Sequence, residues 1–116
     1  MRLTRQASKL LSRITIYLGG VQVFTYVALI KLTPEGREHI KEAPKFLEQI
    51  KSFVELEKGE LETPFAMMGP WDFFAIVKYP TVEGAFRAHA KVASLEVIDV
   101  ETFPVEEVEL FIKALV

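Results

Sequence analysis

Cysteine is absent from this 116-residue chain, which excludes a disulfide scaffold, a thiolate nucleophile and cysteine ligands for a metal. Histidine occurs only twice, which is too few for a histidine-rich metal centre. Acidic residues are absent from residues 1–34, which hold five Lys or Arg, whereas residues 35–116 hold nine Lys or Arg and all 16 acids. The main body thus has a formal charge of 9 − 16 = −7, which argues against nucleic acid as its main partner.

Long apolar runs are also scarce, and the most apolar one, residues 14–30, is at the short limit for a membrane span. It follows four basic residues, as the apolar part of a signal sequence does, but polar residues and glycines interrupt it: Thr15, Gly19, Gly20, Gln22 and Thr25. We therefore expect a soluble N-terminal element and no membrane partner. Because half of its residues are hydrophobic and none is cysteine, the chain is expected to fold as one domain in the reducing cytoplasm.

The sequence divides into a basic extension, residues 1–22, and a domain that spans residues 23–116. Apolar residues recur at helical spacing in the extension: Leu3, Ala7, Leu10, Leu11, Ile14 and Leu18. The basic residues fall largely off this stripe, and Gly19-Gly20 is predicted to end the helix. We expect this helix to pack on its own domain or on a partner subunit. The alternative is a basic contact with an acidic partner or a membrane surface.

Four strands and three helices are predicted in the domain, in the order βαββαβα. The strands are predicted at residues 21–32, 61–68, 73–79 and 96–103, and the sequence leaves open whether the first begins at Val21 or nearer Phe24. The helices are predicted at residues 34–56, 82–94 and from Pro104 onward. Thr33 and Thr81 are the expected N-caps, and Pro44 is expected to kink or divide the first helix. Pro64 places the second strand at an edge or a bulge.

All three predicted helices have one apolar side, and that of the first is made of Ile40, Ala43, Leu47, Ile50 and Val54. The second helix is predicted to bury a face made of Ala85, Phe86, His89, Ala90, Val92 and Ala93. The last helix carries an apolar stripe of Val105, Val108, Phe111, Ile112 and Leu115, with glutamates on its other side.

The order of elements predicts an α+β fold, the ferredoxin-like sandwich, in which two helices cover one face of a four-stranded antiparallel sheet. The first and third strands are apolar on both faces, although the two helices can cover only one of them. An uncovered sheet of this composition is an association site, and a second copy of the chain is the simplest cover. The sequence therefore predicts a homodimer or a larger homo-oligomer.

From about Tyr26 to Phe103 the chain resembles the GYD-domain family. The matching features are Thr33-Pro34-x-Gly36 after an apolar strand, a two-part helix, the turn Gly69-x-Trp71-Asp72, the strand 73–77 followed by Pro80, and the closing Glu101-Thr102. The resemblance implies a dimeric α+β barrel, in which two ferredoxin-like sandwiches pack sheet to sheet. The family usually has Tyr before the Asp, so Trp71 keeps a flat aromatic ring there and loses the phenol hydroxyl.

Asp72 is the strongest candidate for chemistry, because a carboxylate beside Trp71 and an apolar strand suits general acid–base work or amine binding. The alternative is that Asp72 holds the Gly69-Pro70 turn by accepting backbone N–H groups. Trp71 is either a ligand platform or part of the core or subunit interface. His89 is either a base or a packed histidine with one satisfied hydrogen bond.

Two weaker patterns lie nearby in the sequence. Met67 and Met68 line the same turn, where they either fill a gap or border a pocket. His39 lies one helical turn from Glu35 and Glu42, which is a weak pattern for a metal site. We expect no metal and no other cofactor.

Three functional hypotheses follow. The preferred one is an oligomeric binding or structural module with a pocket for a small organic ligand, lined by Tyr26, Met67, Gly69, Trp71 and Asp72. The alternative is a cofactor-free isomerase or monooxygenase of the dimeric-barrel kind with Asp72 or His89 as its base, which requires both side chains to converge on one cavity. The third is a docking protein that uses its basic N-terminal helix.

Overall fold

The structure is a computed structural model that describes residues 22–116, so the predicted N-terminal helix lies outside the described residues. The strands are β1 (Phe24–Leu32), β2 (Glu60–Leu61), β3 (Phe65–Ala66), β4 (Phe73–Tyr79) and β5 (Ile98–Pro104). The helices are α1 (Pro34–Glu38), α2 (Ala43–Leu56), α3 (Val82–Ala93) and α4 (Val108–Ala114), with a 3-10 turn at Ile40–Glu42 between α1 and α2.

The strands form one antiparallel sheet in the order β2-β4-β1-β5, and β3 also pairs with β4. Strands β1 and β4 lie at the centre, where Ala28 pairs with Ala75, and β5 is an edge strand. This α+β arrangement is compatible with a ferredoxin-like sandwich, as the sequence predicts.

Several predicted boundaries are wrong. The strand predicted at residues 61–68 is two short strands on either side of Pro64, while the first strand begins at Phe24, one of the two starts that the sequence leaves open. Proline has no N–H to donate to β4, so the pairing is interrupted at that point. Pro104 ends β5 opposite Tyr26 and does not begin the last helix, which starts at Val108.

The helices α2 and α3 cover one face of the sheet. Alternate residues of β1 and β4 point toward them and are buried: Ala28, Ile30, Leu32, Ala75, Val77 and Tyr79. The helices contribute Phe46, Ile50, Val54, Ala85, Ala88 and Val92 to the same core. Pro44 lies in the first turn of α2, where its missing N–H has no consequence, and the two-part helix is confirmed.

The predicted buried face of α3 is partly wrong. Its buried residues are Gly84, Ala85, Ala88 and Val92, whereas Phe86 is 71% exposed and Ala90 and Ala93 are exposed. The buried positions are shifted by about one residue along the sequence from the predicted ones. Most of them are small, which allows α3 to lie close to the sheet. Phe86 consequently faces solvent.

The other face of the sheet, called the open face below, is apolar at its centre. It carries Val27, Leu29, Phe74 and Ile76, with Phe65 on one side and Phe103 on the other. The rings of Phe65 and Phe74 are stacked with centroids 5.1 Å apart. None of the described helices packs on this face, so the apolar pattern of both faces is confirmed, while the dimer stays a prediction.

Candidate functional site

The corner between β1 and α1 is held by Thr33. Its hydroxyl oxygen accepts a hydrogen bond from the Gly36 N–H at 3.1 Å and caps α1. The same hydroxyl donates to the Glu96 carbonyl at 2.7 Å, and the Thr33 N–H donates to the Val97 carbonyl at 3.0 Å. A side chain on Gly36 would collide with that Val97 carbonyl. The Thr-Pro-x-Gly sequence is therefore required by the close approach of this corner to β5.

The Asp72 carboxylate lies at the same corner. Its Oδ2 accepts a hydrogen bond from the Leu32 N–H at 2.8 Å and pairs with the Arg37 guanidinium at 3.2 Å. Continuing the β1–β4 register beyond the Ile30–Phe73 pair places Trp71 opposite Leu32. The Asp72 side chain thus replaces the next backbone acceptor just before β4 begins. It does not bond the Gly69-Pro70 turn, contrary to that alternative.

The loop before β4 is closed by the backbone and exposes its side chains. The Met67 N–H donates to the Asp72 carbonyl at 2.9 Å. Gly69 has a φ of +118°, a conformation that residues with a side chain rarely adopt. Met67 is exposed and Met68 is 99% exposed, so the two methionines fill no gap in the described domain.

Trp71 lies half-buried beside a cleft of about 440 Å³. The cleft is lined by Lys31, Pro70, Trp71, Ala93, Asp99, Val100 and Glu101. Lys31 and Asp99 are paired neighbours on β1 and β5, and they lie on the same side of the sheet as Val27 and Leu29. The cleft therefore combines one aromatic ring, one ammonium group and two carboxylates at one end of the open face, and it extends to Ala93 of α3.

His89 and Tyr26 lie on the helix-covered side of the sheet. Nδ1 of His89 forms a hydrogen bond of 2.9 Å with the Thr102 hydroxyl, which joins α3 to β5. The Tyr26 ring packs edge to face on Tyr79, with centroids 6.0 Å apart. Burial of Tyr79, with smaller contributions from Tyr26 and Glu57, raises the pKa of its phenol to about 12.

The predicted site residues are therefore not brought together around the cleft. Trp71 lines it, whereas Tyr26, Met67, Gly69, Asp72 and His89 do not. Asp72 and His89 each bond to a separate part of the framework. This arrangement does not favour the enzyme hypothesis, which no observation tests directly.

The metal pattern around His39 does not form a site. Nδ1 of His39 donates to the Glu35 carbonyl at 3.0 Å, and this bond, aided by nearby glutamates, raises the pKa of the exposed ring. Within residues 22–116, no group of three or more His, Asp or Glu side chains is placed to hold a metal ion. No helix in the same part of the chain is long and apolar enough to cross a membrane.

The GYD domain matches residues 26–115, which is more than three quarters of the chain. The chain belongs to the GYD domain family. No curated protein matches it. In this GYD domain, the residues that carry the family pattern have structural roles that can be named: Thr33 and Gly36 form the β1–α1 corner, and Asp72 completes it from β4.

Sequence reasoning missed the three charged residues of the cleft and the partner of Asp72. Lys31, Asp99 and Glu101 are ordinary alternating polar residues of β1 and β5, and only the register of those strands brings them near Trp71. Arg37 belongs to a stretch of alternating charges, residues 37–45, that is typical of a solvated helix face. Its position four residues after Thr33, at the end of α1, was the available signal, since that end of the helix lies beside the start of β4.

Proposed function

We propose that this GYD domain is a homodimeric module that binds a small organic molecule in the cleft beside Trp71. One observation carries the proposal: the open face of the sheet is apolar at its centre and ends in that cleft. The same face would thus serve for association and, at its rim, for ligand binding.

The open face supports association with a second copy. Val27, Leu29, Phe74 and Ile76 lie side by side on the two central strands, and Glu101 of β5 lies beside Leu29 at the border of this patch. Sheets that pack face to face lie about 10 Å apart and bury such residues between them. A two-fold axis through this patch brings each apolar side chain against the same patch of the other copy.

The cleft supports binding of a small molecule. The indole of Trp71 offers a flat apolar surface, while Lys31, Asp99 and Glu101 offer polar groups of both charge signs. Its volume of about 440 Å³ is within the usual range for sites that hold small organic ligands. Because Lys31, Asp99 and Glu101 lie on the open face, a second copy would wall the cleft on its exposed side.

No observation favours catalysis over binding. The Oδ2 atom of Asp72 is already bonded to the Leu32 N–H and to Arg37, and Nδ1 of His89 is bonded to Thr102. A general base must lie within hydrogen-bond reach of the proton that it removes. Neither side chain lines the cleft in which a substrate would lie.

Native mass spectrometry of gently purified protein tests both parts of this proposal. We expect a dimer that carries additional bound mass. The variant Trp71→Ala should remain a dimer and lose that mass, whereas the matched control Phe86→Ala, which removes an exposed ring on the other side of the sheet, should keep it. Because Trp71 is the single tryptophan of the chain, its fluorescence should also change when the released molecule is added back.

Three results would contradict the proposal. A wild-type dimer without bound mass would contradict ligand binding. A bound mass retained by Trp71→Ala would show that the ligand does not lie in this cleft. A wild-type protein that is monomeric at micromolar concentration would contradict the proposed dimer.

A further inference from the structure

Strand β5 has an outer edge, the side that faces away from β1, and among residues 22–116 no strand pairs with it. The register of β5 with β1 is unbroken over Ile98–Pro104. The opposite edge of the sheet differs, because β2 and β3 have two residues each and Pro64 lies between them. Short strands and proline protect an edge from pairing with another chain, and β5 has neither protection before its last residue.

The hydrogen bonds to β1 show which backbone groups of β5 point outward. The Val105 N–H donates to the Thr25 carbonyl at 3.0 Å. Because the bonds of an antiparallel pair alternate, the odd-numbered residues of β5 bond to β1 and the even-numbered residues point outward. Val100 and Thr102 therefore direct both their N–H and their C=O groups to the outer edge, where no backbone group of the described domain bonds to them.

Two carboxylates border the outer edge on the side of the open face. Asp99 and Glu101 lie two residues apart on β5 and are exposed. Lys31 lies opposite Asp99 on β1, but within the described residues neither carboxylate forms an ion pair. Basic side chains on an added strand would lie directly opposite these acids, at the distance of a cross-strand pair.

Apolar groups of α3 border the outer edge on the side of the helices. His89 lies beside β5 through its bond to Thr102, and Ala93 lines the cleft together with Val100. Phe86 lies one helical turn before His89 and is 71% exposed. Alternate side chains of an added strand would point to this side, where they would cover Phe86 and Ala93.

We propose that the outer edge of β5 binds an extended segment of another protein as an added strand, with basic side chains toward the open face and apolar ones toward α3. The segment bonds to the N–H and C=O groups of Val100 and Thr102, and its basic side chains face Asp99 and Glu101. The edge lies in the plane of the sheet, so this contact depends neither on a second copy at the open face nor on a small ligand beside Trp71.

A second copy of β5 is a poor partner for this edge. A two-fold antiparallel pair centred on Glu101 places that carboxylate opposite itself, and one centred on Val100 places Asp99 opposite Glu101. A pair centred on Thr102 places Pro104, which has no N–H, opposite Val100. A basic segment avoids both problems, so the charges favour a foreign partner.

Amide hydrogen exchange followed by NMR tests the proposal on the full-length protein. The probe is a capped peptide of alternating valine and lysine with the seven-residue length of β5, and the control peptide has glutamate in place of lysine. We expect the valine–lysine peptide to slow exchange of the Val100 and Thr102 amides at least about tenfold, because each amide gains an acceptor. The amides of Asp99 and Glu101 are already bonded to β1 and should change little. The control peptide should slow none of them.

Charge reversal at the edge tests the recognition of basic side chains. Asp99→Lys combined with Glu101→Lys should weaken binding of the valine–lysine peptide at least about tenfold, because two attractive pairs become repulsive. Glu42→Lys combined with Glu48→Lys changes the net charge equally at exposed positions near and in α2 and should bind as the wild type does. Fluorescence anisotropy of labelled peptide measures binding, and circular dichroism confirms that both variants are folded.

Three results would overturn the proposal. Unchanged exchange of Val100 and Thr102 with the valine–lysine peptide would exclude strand addition, and equal binding by the two double variants would exclude recognition by charge. Protection of the same amides without peptide, rising with protein concentration, would show that a second copy occupies the edge. These results leave the dimer through the open face and the mass bound beside Trp71 to their own tests.

Discussion

At the scale of single residues, Asp72 explains why an acid follows the aromatic residue at the start of β4. Its carboxylate supplies the acceptor for the Leu32 N–H at the point where the backbone of β4 no longer can. A backbone N–H without an acceptor in this half-buried position is destabilising. Arg37 adds a more exposed contact to the same oxygen, which contributes little on its own.

Asp72→Ala should lower the free energy of unfolding by about 1–3 kcal/mol, because the Leu32 N–H loses its partner. Asp72→Asn keeps an acceptor oxygen and should lower it less. Urea unfolding followed by circular dichroism measures both, with Glu48→Ala on the exposed side of α2 as the control. If Asp72→Ala is as stable as Glu48→Ala, the hydrogen bond from the Leu32 N–H to Asp72 does not stabilise the corner.

Tyr79 should make stability depend on pH in the alkaline range. Its folded-state pKa is about 12, above the ordinary value of 10.0, so the unfolded chain releases this proton first as the pH rises. The corresponding stability is intact below pH 10 and is lost between pH 10 and 12, by about 2–3 kcal/mol in total. Tyr79→Phe should remove this part of the alkaline loss. Absorbance titration at alkaline pH should show a late-titrating tyrosine in the wild type that is missing from Tyr79→Phe, and the same late titration in both proteins would contradict the assignment.

At the scale of elements, the two threonine-capped helices begin alike but are attached differently. Both hydroxyls accept from a glycine N–H, Thr33 from Gly36 and Thr81 from Gly84. Only Thr33 also donates its hydroxyl hydrogen to the turn that precedes β5, through the Glu96 carbonyl. The cap of α1 is therefore also a connection between the helix and the sheet edge.

Thr81→Ala should lower the free energy of unfolding by about 1 kcal/mol, the usual value for a lost N-cap. Thr33→Ala should lower it by about 1 kcal/mol more, because a second hydrogen bond is lost as well. Serine at either position should restore most of the loss. Thermal and urea unfolding of the four variants gives the comparison, and equal losses at the two threonines would contradict the double role of Thr33.

The elements differ in how far the sequence predicted them. Strand β4 was predicted correctly because its apolar run lies between the loop that ends at Asp72 and Pro80, and Thr33 and Thr81 mark their helices by local chemistry. The prediction that Pro104 begins the last helix was wrong, because its position at the end of an edge strand depends on pairing with Tyr26. The cleft could not be predicted, since Lys31 and Glu101 are placed near Trp71 by the strand register, which is a long-range property.

At the scale of the whole molecule, the central claim is that the open face associates with a second copy. Ile76 lies opposite Val27 near the middle of that face and is half-buried in the single chain. A glutamate there faces solvent in a monomer but is buried in a sheet-to-sheet dimer, where an unpaired charge is strongly unfavourable. The substitution therefore separates folding from association.

Sedimentation velocity of the wild type and Ile76→Glu tests this claim most directly, with Phe86→Glu on the exposed side of α3 as the matched control. We predict that the wild type and Phe86→Glu sediment as dimers at micromolar concentration, and that Ile76→Glu is a folded monomer. A monomeric wild type, or an Ile76→Glu variant that stays dimeric, would contradict the account.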